Sequence, residues 1–304
     1  MNSSLTIISV LIVIAIAILL LSFITRGKDS GGPKKQKKRD KSLIIRDATR
    51  RLAQNPRDPV GLAAMGSIYY QDQDWAKAYA TYEILLDIAT STHKVDEFET
   101  ALRFGVSAVK TNRFPEASRG FMIARKIKPN HFEVNYNLGY ICYQQKEYEK
   151  AIPFLKAALL VDTENVLVQR YMGFSYHKAH KYREALPYLK KSIDLQPDDK
   201  EALFAMAECL FESGASERSL KIFSHLRPDP VLGPQSALYA GIIHLQTNQF
   251  EKAVVDFEIG LKHENISPEI ANDLRYKMAV TCIKLQDLGR VLLLLKDIQR
   301  VTPG

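Results

Sequence analysis

Hydrophobic and polar positions follow two regimes along the chain. From Leu5 to Thr25 the residues are almost all Ile, Leu, Val or Ala, with only Thr6, Ser9, Ser22 and Thr25 polar. A helix of that length, at ~1.5 Å per residue, matches the ~30 Å hydrocarbon core of a bilayer. It also satisfies its own backbone hydrogen bonds there. The run therefore predicts one transmembrane helix over 5–25, after a short tail, 1–4. From residue 59 onward the apolar positions recur instead at i, i+3, i+4 and i+7, as in Leu138, Ile141 and Cys142, then Tyr148, Ile152 and Leu155. Polar turns such as Gln145-Lys146-Glu147 and Ala179-His180-Lys181 separate these runs. That spacing predicts pairs of short amphipathic helices and an all-α fold.

The pairs repeat. A small residue preceded by an apolar one stands at Gly66, Gly105, Gly139, Gly173, Ala207, Gly241 and Ala279, with spacings of 39, 34, 34, 34, 34 and 38. Twelve residues after each comes a second small or slender residue: Ala78, Ala117, Ala151, Ala185, Ser219, Ala253 and Val291. Four residues later stands a bulky one: Tyr82, Phe121, Leu155, Leu189, Phe223, Phe257 and Leu295. Small residues let two helices approach, and the bulky ones fill the space beside them. One hairpin cannot bury its apolar face alone, so neighbours must stack.

These markers resemble the tetratricopeptide repeat family, whose 34-residue pattern places small, bulky and proline residues in this order. The resemblance covers 59–304 in seven units: 59–92, 98–131, 132–165, 166–199, 200–233, 234–267 and 272–304. It implies a right-handed superhelical solenoid of about seven helix-turn-helix repeats. The unit at 200–233 departs from the pattern, with Ser216 for the usual aromatic, Ser219 for Ala, and Pro228, Pro230 and Pro234 crowding its end. Pro153 and Pro187 fall in the second turn of predicted helices, where proline removes a backbone hydrogen bond. Residues 42–58 are expected to form a helix capping the first repeat, ended by Asn55-Pro56.

Charge alters this picture at one place. The chain has 304 residues and a net charge of +8, yet residues 1–25 carry no charged side chain. Between Arg26 and Arg51 stand eleven basic and three acidic residues, which is the whole excess. The remainder is balanced, so a general nucleic-acid surface on the main body loses its compositional support. Residues 26–41 read as a basic flexible tether, with Lys34, Lys35, Lys37, Lys38, Arg39 and Lys41 placed to meet anionic lipid, at about 1 kcal/mol per basic residue. Cations after the span and none before it put the N-terminus outside and the repeats in the cytoplasm. The three cysteines fit a reducing compartment.

Chemistry is scarce. The chain has no Gly-rich phosphate loop, no Cys-x-x-Cys and no His-Glu-x-x-His, so no enzyme, cofactor, metal or small-molecule substrate is expected. Cys142, Cys209 and Cys282 fall at positions facing the hairpin interior and read as packing residues. His177 and His180 lack a third ligand.

In the resembled family the first helix of each hairpin lines a concave groove that takes extended or helical peptides. The corresponding stripe here holds Tyr136, Tyr140 and Tyr143, then Arg170, Phe174, His177 and Lys178, then Phe204, Glu208, Phe211 and Glu212, and finally Tyr276, Val280 and Ile283. Aromatic side chains with a polar handle are frequent anchors at interfaces, so a protein partner is expected in this groove. The assignment fails if Tyr140 and Phe174 both prove buried. The Lys/Asn clamp by which chaperone-binding members hold a C-terminal carboxylate survives only in fragments, at Tyr136, Asn137 and Tyr140, then Arg170 and Phe174. The expected function is a membrane-anchored scaffold or adaptor that recruits a partner to a membrane complex. The alternative is an exported, periplasm-facing repeat protein or structural subunit in envelope or appendage assembly.

Overall fold

The computed structural model describes residues 33–89, 91 and 94–301. The span expected over 5–25 and the tether up to residue 32 lie outside the described residues. Among the described residues no helix is long and apolar enough to cross a membrane.

Fifteen helices account for nearly all the described residues. The first, α1 (Pro33–Gln54), is followed by α2 (Pro59–Gln71), α3 (Trp75–Ala89), α4 (Glu97–Lys110) and α5 (Phe114–Ile127). Next come α6 (Phe132–Gln144), α7 (Tyr148–Leu159), α8 (Val166–Lys178), α9 (Tyr182–Leu195) and α10 (Lys200–Glu212). The series ends with α11 (Ser216–Leu226), α12 (Gly233–Gln246), α13 (Phe250–Leu261), α14 (Pro268–Lys284) and α15 (Leu288–Val301). The chain forms two compact units, with the boundary after Gly120.

The helices begin and end for local reasons. Carboxylate or amide side chains cap several first helices: Asp58 accepts from the Gly61 N–H at 2.7 Å, Asn165 from Val168 at 3.2 Å and Asp199 from Ala202 at 3.0 Å. Each satisfies one of the N–H groups that a helix start leaves without a partner. Every hairpin turn then reverses in the same way. Gln73, Asn112, Lys146, His180, Gly214, Asn248 and Gln286 all have positive φ, seven residues after the small residue of their repeat. The next N–H reaches back to close the helix, as from Asp74 to Tyr69, Glu147 to Cys142 and Ala215 to Leu210. This is the Schellman closure, which consumes carbonyls the helix end would leave unpaired.

In the first unit, α1 does not start at residue 42. It begins at Pro33 and ends at Gln54, so the expected flexible tether is helical from residue 33. The run Pro33–Lys41 holds no residue that breaks a helix after its first position, and proline is well placed at a helix start. Lys41 is committed to an ion pair with Asp72 at 2.5 Å. The side chains of Lys34, Lys35, Lys37, Lys38 and Arg39 lie outside the described set. Arg103 of α4 fastens this unit: it donates to Glu99 at 2.5 Å and to the Ser67 and Tyr82 hydroxyls at 3.0 Å.

In the second unit the small and bulky residues meet as the periodicity requires. A Cβ on Gly139 would come within 2.6 Å of Leu155, and one on Gly173 within 2.7 Å of Leu189. The departing repeat still forms a hairpin, α10–α11. Ser219 fills the alanine slot fully buried, and its hydroxyl donates to the Ala207 carbonyl at 2.8 Å. Helices α7 and α9 run through Pro153 and Pro187. Both prolines are exposed, and each lacks the N–H that an interior helix position donates.

Candidate functional site

The candidate site lies in the second unit, on α6, α8 and α10 with the start of α12. Residues three and four apart on a helix share a face, so the stripes read from the sequence do fall side by side. They pack against one another more than the sequence suggests. Tyr136 stacks on Tyr140 at 6.4 Å, and Tyr140 and Tyr143 meet the edge of Tyr171 at 5.3 and 5.2 Å. Tyr136, Tyr140 and Tyr143 are half-buried. Burial holds the Tyr136 phenol protonated, with its pKa raised to about 12.

Phe174 is only 6% exposed and Phe204 only 7%, which corrects their reading as open anchors. The Tyr143 ring stacks on Phe174 at 6.3 Å, and the Arg170 guanidinium covers it at 4.4 Å. Phe204 lies against Phe223 at 5.4 Å and Tyr239 at 6.0 Å. Arg170 is itself engaged, with Asp199 and Glu201 each at 2.5 Å. Asp199 thereby caps α10 with one oxygen and holds α8 with the other.

His177 is buried as well. Its Nε2 lies 3.1 Å from Glu208 Oε2, and the other Glu208 oxygen accepts from the Tyr239 hydroxyl at 2.7 Å. Burial, followed by the Glu208 charge, keeps the Tyr239 phenol protonated. Phe211 packs edge-on against Tyr239 at 5.6 Å. Lys178 is exposed, and Tyr276, on α14, is 56% exposed without lining this site.

These packed walls leave a cavity of about 270 Å³. Tyr143, Phe174, Phe204, Ala205 and Leu232 supply its apolar surface, and His177, Lys178, Glu201, Glu208 and Gln235 its polar surface. Six residues of the stripe read from the sequence therefore converge: Tyr143, Phe174, His177, Lys178, Phe204 and Glu208. Glu201 was missed although it stands three residues before Phe204, on the same face of α10. Leu232 and Gln235 escape the repeat register because they follow the proline-rich link after α11. The arrangement suits an apolar side chain entering between aromatic walls, with Lys178 and Glu201 offering opposite charges beside it.

Among the described residues no group of three or more His, Cys, Asp or Glu could hold a metal ion. His180 is turned to the Tyr182 hydroxyl, at 2.7 Å from its Nδ1. Cys142, Cys209 and Cys282 are buried, and burial pushes the Cys209 thiol up to about 12. They are packing residues.

Family models described as tetratricopeptide repeat match residues 62–92, 102–164 and 176–235. Among solved structures, the protein is similar to YrrB, described as a TPR protein with an unusual peptide-binding site. That match has 21% identity and a TM-score of 0.53, covering 59% of this chain and 92% of that one. It is also similar to MamA MSR-1, at 18% identity and a TM-score of 0.48, over 62% of this chain and 98% of that one. MamA 41-end from Desulfovibrio magneticus RS-1 aligns at 16% identity and a TM-score of 0.48, over 54% and 90%. At 21% identity the likeness to YrrB is one of fold.

Proposed function

Because this chain carries tetratricopeptide repeats, a fold that typically serves as a non-catalytic protein-interaction scaffold, we propose that it is a membrane-anchored adaptor. Its second unit receives an extended segment of a partner protein across α6, α8 and α10. The observation that carries the reading is the aromatic-walled cavity between Tyr143, Phe174 and Phe204. Ligand sites of this kind combine apolar walls with a few placed polar groups. One apolar side chain of the partner occupies the cavity, and Lys178 and Glu201 contact its neighbours. The peptide-binding site attributed to YrrB is support by analogy of fold.

Anchoring rests on the apolar run 5–25 and the cationic stretch after it. Confinement at a membrane raises the effective concentration of whatever the groove holds, which is the sense in which the protein recruits. A photo-reactive side chain introduced at Lys178, on the cavity rim, tests the groove in cells. It should capture a partner protein, whereas the same group at Lys190, exposed on α9, should not. Capture only from Lys190 would move the binding face to the second helices and remove the groove from the account.

A further inference from the structure

The last described hairpin, α14–α15, carries a surface with no counterpart in the preceding repeats. The bulky residue sixteen positions after the small one is fully buried in α7, α9, α11 and α13, as Leu155, Leu189, Phe223 and Phe257. In α15 the equivalent residue, Leu295, is 47% exposed. The residue three before it shows the same break: Val254 in α13 is 6% exposed, but Leu292 in α15 is 62% exposed. In the inner repeat α14 packs on α13, with Leu274 and Met278 in one cluster with Val254 and Phe257. Against α15 no further described helix packs. Leu288, Leu292 and Leu295, at i, i+4 and i+7, therefore form an uncovered leucine stripe along one side of the helix.

The flank of that stripe is self-complementary. Gly289 and Lys296 lie seven residues apart on the same side of α15. A Cβ on Gly289 would meet only Asp287 Oδ1, at 3.8 Å, so the glycine leaves a notch with a carboxylate at its edge. Lys296 is exposed and has no ion-pair partner among the described residues. Two such helices packed antiparallel about a two-fold axis between residues 292 and 293 would set each Lys296 over the other copy's Gly289. The Lys296 stem fills the notch and its ammonium reaches the Asp287 carboxylate. The uncharged leucines meet in the seam between the two sets of charges. A patch that matches itself in this way is what an isologous dimer requires.

We propose that α15 is the interface of a homodimer, its leucine stripe buried against a second copy of this chain. The face is small, so the dimer is one of moderate affinity. The test is sedimentation equilibrium of the full chain in a density-matched detergent, with circular dichroism to verify that each variant keeps its helix content. The parent should be in monomer–dimer equilibrium. Lys296→Glu alone and Asp287→Lys alone should each weaken it about tenfold, since the two-fold axis doubles every pair lost. The double exchange, Asp287→Lys with Lys296→Glu, should restore it, and Leu292→Asp should abolish it. A parent that is monomeric at every concentration overturns the proposal. So does a dimer that survives Leu292→Asp, or one that the double exchange fails to rescue.

Discussion

At the scale of single residues, the contact between a glycine and a bulky neighbour is the unit from which each repeat is made. Gly173 has no side chain because a Cβ there would stand 2.7 Å from Leu189 Cγ and 3.0 Å from the Leu189 amide nitrogen. Gly173→Ala should gain about 1 kcal/mol of helix propensity and lose about 1–3 kcal/mol to overpacking. The net expectation is destabilisation. Leu189→Ala, which empties a fully buried position, should cost about 2–5 kcal/mol. Because both changes act on one contact, the double variant should be less destabilised than the two costs summed. Urea denaturation measures all three, and strict additivity would contradict the contact as described. The sequence made these pairs legible through their spacing alone. It did not show that Phe174 and Phe204 are closed over: Arg170 stands four residues before Phe174 on the same helix, but the rings that complete the cover, Tyr143 and Tyr239, come from other helices.

At the scale of the element, the hairpin turn is the most regular feature of the chain. All seven turns place one residue at positive φ, yet glycine occupies that position once, at Gly214. Asparagine tolerates it at Asn112 and Asn248, while Lys146 adopts it at a cost of about 1–2 kcal/mol. Lys146 is exposed and its neighbours close the turn through backbone atoms. Lys146→Gly should therefore raise stability by up to about 1 kcal/mol, less the extra entropy that glycine brings to the unfolded chain. A rise in thermal midpoint would be the sign of it, and a fall would show that the Lys146 side chain contributes something the geometry omits. The polar turns were visible in the sequence, but their left-handed residue was not, since Gln, Asn, Lys, His and Gly share no composition. Helix α1 shows the opposite failure. Its lysine-rich start reads as a tether by charge, whereas the backbone runs on as helix from Pro33.

At the scale of the whole molecule, the three native cysteines are buried, and burial raises their thiol pKa values. A raised value keeps the thiol protonated through neutral pH, and the thiolate is the reactive form. The native chain should thus react with a thiol reagent only as it unfolds. A cysteine introduced at Lys37 would then be the reactive position in cells, and it tests the proposed topology. With the repeats in the cytoplasm, a membrane-impermeant reagent should label Lys37→Cys only after the membrane is permeabilised. Labelling in intact cells would favour the exported alternative.

The sequence by itself determined the helical class, the period, the residues that touch across each hairpin, and the place where all the net charge lies. Those follow from local rules: a helix repeats every 3.6 residues, a close approach needs a small side chain, and a stacked array needs the same solution each time. Only the tertiary structure decided which residues of the aromatic stripe are walls and which are open. Exposure depends on what the next helix brings, and that helix lies about 34 residues further along the chain. The same dependence explains α15. Its leucines follow the pattern that is buried elsewhere, and they are exposed because no described helix packs over them.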